Sequence, residues 1–197
     1  HATIRRQRQM CIRDRIIMSL ISLDQSEYKS LDAKAYDREK RRLRIELLKL
    51  QEDVIKNNRK LCIIFEGRDT AGKSTAIRFF SEYLRPQHFN YVQLGIPTKW
   101  ESSHWFQRWK KALPRRGEIS FLDRSWYTRA ITEPIMGYCS ENQYRTFMKK
   151  VNKWEDEQMD DGVELTKFYF SLSKDQQEIR MKACLLYTSD AADEWLR

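Results

Sequence analysis

With 197 residues, 41% of them apolar and 33% charged, the chain is long enough for one domain with a real core and has the make-up of a soluble globular protein. No run approaches the ~20 apolar residues of a membrane-spanning helix. The N-terminus also lacks the apolar core and cleavage site of a signal peptide, so a cytoplasmic protein with no membrane partner is expected. The net charge of +9 admits nucleic acid, a membrane surface or a small polyanion as partner and ranks them only together with a site.

The two ends are set aside first. Arg5-Arg6-Gln7-Arg8-Gln9-Met10-Cys11-Ile12-Arg13-Asp14 has the look of a basic arm, and Cys184-Leu185-Leu186-Tyr187-Thr188-Ser189-Asp190-Ala191-Ala192-Asp193 that of a last strand and turn. Yet the DNA string TGT CTC TTA TAC ACA TCT GAC GCT GCC GAC G encodes the second segment, and its reverse complement encodes the first. One oligonucleotide read in both directions supplies both ends. The string resembles a transposon adapter used in preparing sequencing libraries, so residues 5–15 and 184–194 are read as adapter-derived and excluded from the fold. The basic character survives their removal. The natural sequence is expected to stop near Lys182, leaving a domain over 31–182 that is incomplete at its C-terminus. Cys62 and Cys139 are then the remaining cysteines, without metal-ligand or paired spacing, and reduced thiols are expected, Cys62 in a core strand.

From Leu31 to Asn58 there is no Gly or Pro, and Tyr36, Leu43, Leu47, Leu50 and Val54 recur at helical steps among Lys, Arg and Glu. The pattern predicts a long amphipathic helix. Its cations are read as a solvated face rather than a polyanion contact, and the helix offers a face on which a homo-oligomer could form. Residues 60–66 read as a buried strand, 72–83 as a helix closed off before Pro86, and Tyr91 to Leu94 as a second strand. Glu101 to Leu113 suggests a further helix whose Trp105, Phe106 and Trp109 form a core-facing stripe rather than a stacking platform for a base. Glu118 to Asp123 is the next strand, and Ile131 to Gly137, with Pro134 and Gly137, reads as a hinge-like segment. Ser140, with Gln143 three residues on, caps a helix to about Asp160. Val163 to Leu172 is a strand, and Ser173 caps a helix beginning at Lys174. The alternation of strand and helix predicts an α/β fold, a parallel sheet with helices on both faces.

The chemistry concentrates in Phe65-Glu66-Gly67-Arg68-Asp69-Thr70-Ala71-Gly72-Lys73-Ser74-Thr75. Gly67, Gly72, Lys73 and Ser74 fill the pattern G-x-x-x-x-G-K-[ST] between a strand and a helix. In such a loop, here 67–75, backbone N–H groups face a phosphate chain, Lys73 reaches the terminal phosphates and the Ser74 hydroxyl ligates Mg2+. Asp123 ends a strand. That position suits a helix cap as well as Mg2+, and the loop upstream favours the metal. Arg124 and Arg129 open the polar segment that follows; they suit clamping a multiply charged donor, with surface salt bridging as the alternative.

Residues 65–75, 121–130 and 168–180 together resemble the polyphosphate kinase 2 family. The family pattern F-E-G-R-D-x-A-G-K is matched by Phe65 to Lys73, and D-R-S-W-Y-x-R-A by Asp123 to Ala130. Met136-Gly137-Tyr138-Cys139 and Phe170-Ser171-Leu172-Ser173 continue the likeness. The resemblance implies a three-layer P-loop kinase fold similar to thymidylate kinase, with a helical lid. It also implies phosphoryl transfer between inorganic polyphosphate and a nucleoside di- or triphosphate, with Mg2+ as cofactor. By resemblance Asp69 and Asp123 organise Mg2+, Lys73, Arg124 and Arg129 contact phosphates, and Arg68 belongs to the loop. Ser74-Thr75 stands where many members carry Gly-Gly. An ATP-dependent nucleotide kinase of the same fold and a non-enzymatic polyanion binder stay open as rivals. No recognised motif points to a specific nucleic acid.

Overall fold

The computed structural model describes residues 32–183. Both segments read as adapter-derived lie outside the described residues. Two compact units are distinguished, His1–Leu43 and Arg44–Arg197. In the first, the described residues are the opening turns of α1 (Ala33–Lys56), where Arg42 donates to Glu39 and the Lys40 ammonium lies 5.9 Å above the Tyr36 ring.

The second unit carries the sheet. Strand β1 (Lys60–Gly67) runs parallel to β3 (Glu118–Asp123) in the register Leu61 to Ile119 and Phe65 to Asp123, and parallel to β4 (Val163–Phe170) on its other side. Strand β2 (Phe89–Val92) joins the far edge of β3, giving the all-parallel order β2-β3-β1-β4. Alternation along β1 divides the core in two, because successive side chains leave opposite faces of a strand. Cys62 and Ile64 pack with Leu122, Trp105, Trp109, Trp126, Phe147 and Trp154. Leu61, Ile63 and Phe65 pack with Ile119, Phe121, Val54, Ile77 and Leu84. The first cluster draws on α4 (Trp105–Lys110) and α7 (Glu141–Asp160), the second on α1 and α2 (Lys73–Ser81). Helices therefore cover both faces, which is why β1 reads as an unbroken apolar run.

Several boundaries differ from the sequence reading. The stripe on α1 is used only toward its C-terminal end: Val54 is fully buried and Leu47 and Leu50 pack against the core, but Tyr36 and Leu43 are exposed. The strand expected at 91–94 lies at 89–92. The helix expected over 101–113 is two short helices, α3 (Lys99–Ser103) and α4, separated at His104, whose φ of −114° and ψ of 50° leave the helical region. Thr98 and Glu101 close a capping box on α3. The Trp105, Trp109 and Phe106 stripe does belong to the core, and the Trp105 indole donates to Trp126 O at 3.0 Å. The segment read as hinge-like holds two single turns, α5 (Thr128–Ile131) and α6 (Glu133–Met136), the latter closed by Gly137 at φ 70°. The capping box of Ser140 and Gln143 on α7 is formed as expected. Strand β4 ends at Phe170, two residues early, and Ser173 caps a helix over 174–183 through the amide of Gln176.

Among the described residues no helix is long and apolar enough to cross a membrane.

Candidate active site

At the C-terminal end of β1 the backbone takes conformations that L-residues rarely adopt. Gly67 has φ 134°, and a Cβ there would stand 2.3 Å from the Phe170 carbonyl oxygen on the paired strand, so only glycine fits. Thr70 at φ 63° and Gly72 at φ 101° are left-handed, and Gly72 stands at the N-cap of α2 with no side chain capping the helix. The first amides of α2 thus have no side-chain cap, and the helix dipole favours an anion there.

Lys73, the first residue of α2, is 6% exposed and folds back so that its ammonium donates to Gly67 O at 3.2 Å and Arg68 O at 2.9 Å. Burial, with the neighbouring Arg124 cation, holds this ammonium below its ordinary value, while Asp123, Asp69 and Glu66 oppose the shift. Asp123 ends β3 beside Phe65 and is 4% exposed. One of its oxygens accepts from the Ser74 hydroxyl and from Tyr91 OH, the latter at 3.2 Å.

The next residue, Arg124, is held at φ 64°, its amide donating to Phe65 O at 3.0 Å. This left-handed turn sends the guanidinium toward the loop, where it pairs with Asp69 and donates to Thr132 Oγ1 at 3.1 Å. Glu66 fixes the turn from beneath: its Oε1 accepts from the Ser125 amide at 2.7 Å and the Ser125 hydroxyl at 2.6 Å. Burial pushes the Glu66 carboxyl up, against the lowering effect of those hydrogen bonds and of the nearby cations.

The structure therefore gathers Asp69, Lys73, Ser74, Asp123 and Arg124 around the loop 67–72, with Arg68 exposed on it, Thr75 exposed on the first turn of α2, and Thr70 O accepting from Arg180 at 3.0 Å. Arg129 is elsewhere. It is 1% exposed, paired with the buried carboxylate of Glu133 at 2.8 Å, and its guanidinium lies 4.1 Å from the Trp105 ring centre. It also donates to Ser102 O at 3.1 Å, an oxygen shared with Gln143. The ion pair is buried, not the surface bridge weighed as the alternative. Glu66, Tyr91, Ser125 and Thr132 escaped the sequence reading. An acidic residue at the end of an apolar strand was the one available signal, for Glu66; nothing local marks the other three.

Comparison with known proteins fits this geometry. The family model "Polyphosphate kinase 2 (PPK2)" matches residues 30–186. A putative GDP-polyphosphate phosphotransferase of Corynebacterium glutamicum is 40% identical over 166 residues, 84% of this chain and 51% of the relative. An ADP-polyphosphate phosphotransferase of Pseudomonas aeruginosa is 40% identical over 151 residues, covering 76% of this chain and 50% of the relative. The chain thus spans about half the length of the curated relatives it matches. The crystal structure of polyphosphate kinase 2 from Arthrobacter aurescens TC1 superposes with a TM-score of 0.71 at 25% identity, over 84% of this chain and 62% of that one. That of a putative polyphosphate kinase 2 from Pseudomonas aeruginosa gives 0.73 at 31%, over 83% and 36%. On motif, sheet and sequence alike, this chain belongs to the polyphosphate kinase 2 family.

Proposed function

We propose that the chain carries the core of a phosphotransferase that moves a phosphoryl group between inorganic polyphosphate and a nucleoside diphosphate, giving the triphosphate and reversible in principle. The observation that carries this reading is the cluster of Lys73, Ser74, Asp69, Asp123 and Arg124 at the C-terminal ends of β1 and β3, around a loop opening onto the uncapped start of α2. Ligands of open parallel sheets bind at that edge. In the same reading the core is a P-loop kinase of the thymidylate-kinase type with a helical lid, and residues 5–15 and 184–194 are adapter-derived.

The mechanism needs positioning and charge more than covalent chemistry. An acceptor phosphate oxygen is already anionic, so no general base is assigned. The amides of the loop and of the first turn of α2 bind donor phosphates. Lys73 and Arg124 offset the charge that builds on the transferred group, and Asp69 orients Arg124 by pairing with it. Glu66 keeps the Ser125 turn in place, so that Arg124 faces the loop. The Ser74 hydroxyl rests directly on the Asp123 carboxylate, and this pair of hard oxygen donors, with Asp69, fits Mg2+. When bound there, Mg2+ supplies neutralisation of phosphate charge. Arg129 serves the reaction indirectly, as the post that fixes the segment after Arg124 to α3 through Ser102 O, which Gln143 of α7 also holds.

The basic surface suits a long polyanion, and binding is expected to weaken steeply with salt, as it does for nucleic acids. Free Cys62 and Cys139 accord with a reducing, cytoplasmic setting. The test supplies the whole chain with Mg2+, polyphosphate and ADP or GDP as the sole nucleotide. Triphosphate formation is expected; formation only when a nucleoside triphosphate donor is added would transfer the assignment to an ordinary nucleotide kinase.

A further inference from the structure

Among the described residues, a cavity lies outside the phosphate cluster. It has a volume of about 320 Å³ and opens at the C-terminal end of edge strand β2, lined by Val92, Leu94, Ala112 and the Trp100 ring on its apolar side and by Glu101, Arg108 and Lys111 on its polar side. Tyr91, the residue before Val92, touches the Asp123 carboxylate at 3.2 Å. Val92 pairs with Leu122, the residue before Asp123, one strand spacing of about 4.8 Å away. A nucleotide with its phosphates at the loop has this cavity within reach of its base.

We propose that the cavity holds the base of the acceptor nucleotide and selects guanine over adenine; the inference rests on the phosphotransferase reading above. Three observations carry it. First, the walls are those of a base site, apolar residues and the half-exposed Trp100, whose ring is fixed by stacking on His104 at 4.5 Å. Second, the polar groups come as a carboxylate beside an ammonium. Glu101 uses Oε2 to accept from the Thr98 amide at 2.8 Å, while Oε1 lies 3.8 Å from the Arg108 Nε, beyond hydrogen-bond range. The Thr98 hydrogen bonds hold the Glu101 carboxyl below its ordinary value, so it is an acceptor at neutral pH. Lys111 places its ammonium 5.5 Å from the Trp100 ring centre. Guanine presents two adjacent donors, N1–H and the N2 amine, next to the acceptor O6, which matches a carboxylate beside an ammonium. Adenine presents an acceptor at N1 and a donor at N6, which puts an acceptor against Glu101 or a donor against Lys111. Third, Arg108 is 6% exposed, and its Nε and Nη1 are buried without a hydrogen-bond partner, its Nη2 alone being taken by Gly95 O. The guanidinium rests over the Trp105 and Trp109 rings, at 5.4 and 5.9 Å from their centres, and brings these two donors to the cavity wall.

The test measures kcat/KM for GDP and ADP with polyphosphate on the whole chain, and calorimetric binding of the same two nucleotides without polyphosphate. Wild type should favour GDP by about tenfold or more, the scale set by a matched against a mismatched polar edge. Glu101→Gln keeps the capping box, because Gln caps as Glu does. It should nevertheless lower the GDP-to-ADP ratio at least tenfold in both measurements, and Lys111→Met should lower it as well. Equal use of the two bases, or a ratio unmoved by both variants, overturns the inference while leaving the phosphotransferase reading intact. GDP-selective binding that responds to Glu101→Gln, with no transfer from polyphosphate, supports the cavity and overturns the activity instead. Binding of neither nucleotide overturns the cavity.

Discussion

Arg124 and Arg129 leave the same short segment five residues apart, and the fold puts them to opposite uses. Arg124 stands in a left-handed turn at the end of β3, its side chain partly exposed and paired across the loop with Asp69. Arg129 stands in the one-turn helix α5, enclosed by Trp105, Glu133 and Ser102. The first cation is held at the rim of the glycine-rich loop by backbone constraint, the second in the interior by its carboxylate partner. A charge at the rim can meet a ligand at little cost to the fold. A buried one is committed to its partner, because separating the pair strands a charge away from water.

Breaking the interior arginine should have the largest effect. Arg129→Ala leaves the Glu133 carboxylate buried without its cation and is expected to cost about 3–5 kcal/mol in urea unfolding. A loss below about 1 kcal/mol, the range of exposed pairs, would return Arg129 to the surface and to the phosphate site. Next is Lys73→Ala, which should cut transfer by about 10²–10³-fold, the scale of losing a donor aimed at developing charge. The unfolding midpoint should hold or rise, since burial already works against this ammonium. A non-enzymatic surface binder would keep its polyphosphate affinity in this variant. Arg124→Ala should lose about 1.5–3 kcal/mol of transition-state stabilisation, roughly ten- to a hundredfold in rate, with a stability change under about 1 kcal/mol. Equal losses in stability for the two arginine variants would erase the contrast between them.

The smallest effect is a pH dependence. Burial raises the Glu66 carboxyl above 4.5, so its contribution to stability is fully present below that pH and is lost as pH rises through the raised folded-state value. Glu133 is raised for the same reason and adds a slope of the same sign. Relative to wild type, Glu66→Gln should therefore gain stability as pH rises from 4.5 toward neutrality, measured as the difference in urea midpoints. A difference that stays flat, or that shrinks with pH, would mean that the ionised carboxylate is fully satisfied by Ser125.

How much was legible in the sequence follows from the range of the forces involved. The loop was readable because its glycines answer a local steric demand, and the strands beside it because double-sided burial leaves continuous apolar runs. The capping box at Ser140 is likewise local and came out as expected, while the one at Thr98 went unread and with it the break at His104. Glu66 holding Ser125 spans 59 positions and Tyr91 reaching Asp123 spans 32, and neither leaves a periodic trace.

Spacing and burial pattern were enough to read the glycine-rich loop and the parallel α/β alternation, because both are encoded within one element and its neighbours. Which arginine pairs across the loop and which pairs in the interior came from contacts between elements. Two arginines in one motif are chemically identical in the sequence. What separates them is a left-handed turn at one residue, and at the other a buried carboxylate one helical turn ahead with an aromatic face from another helix.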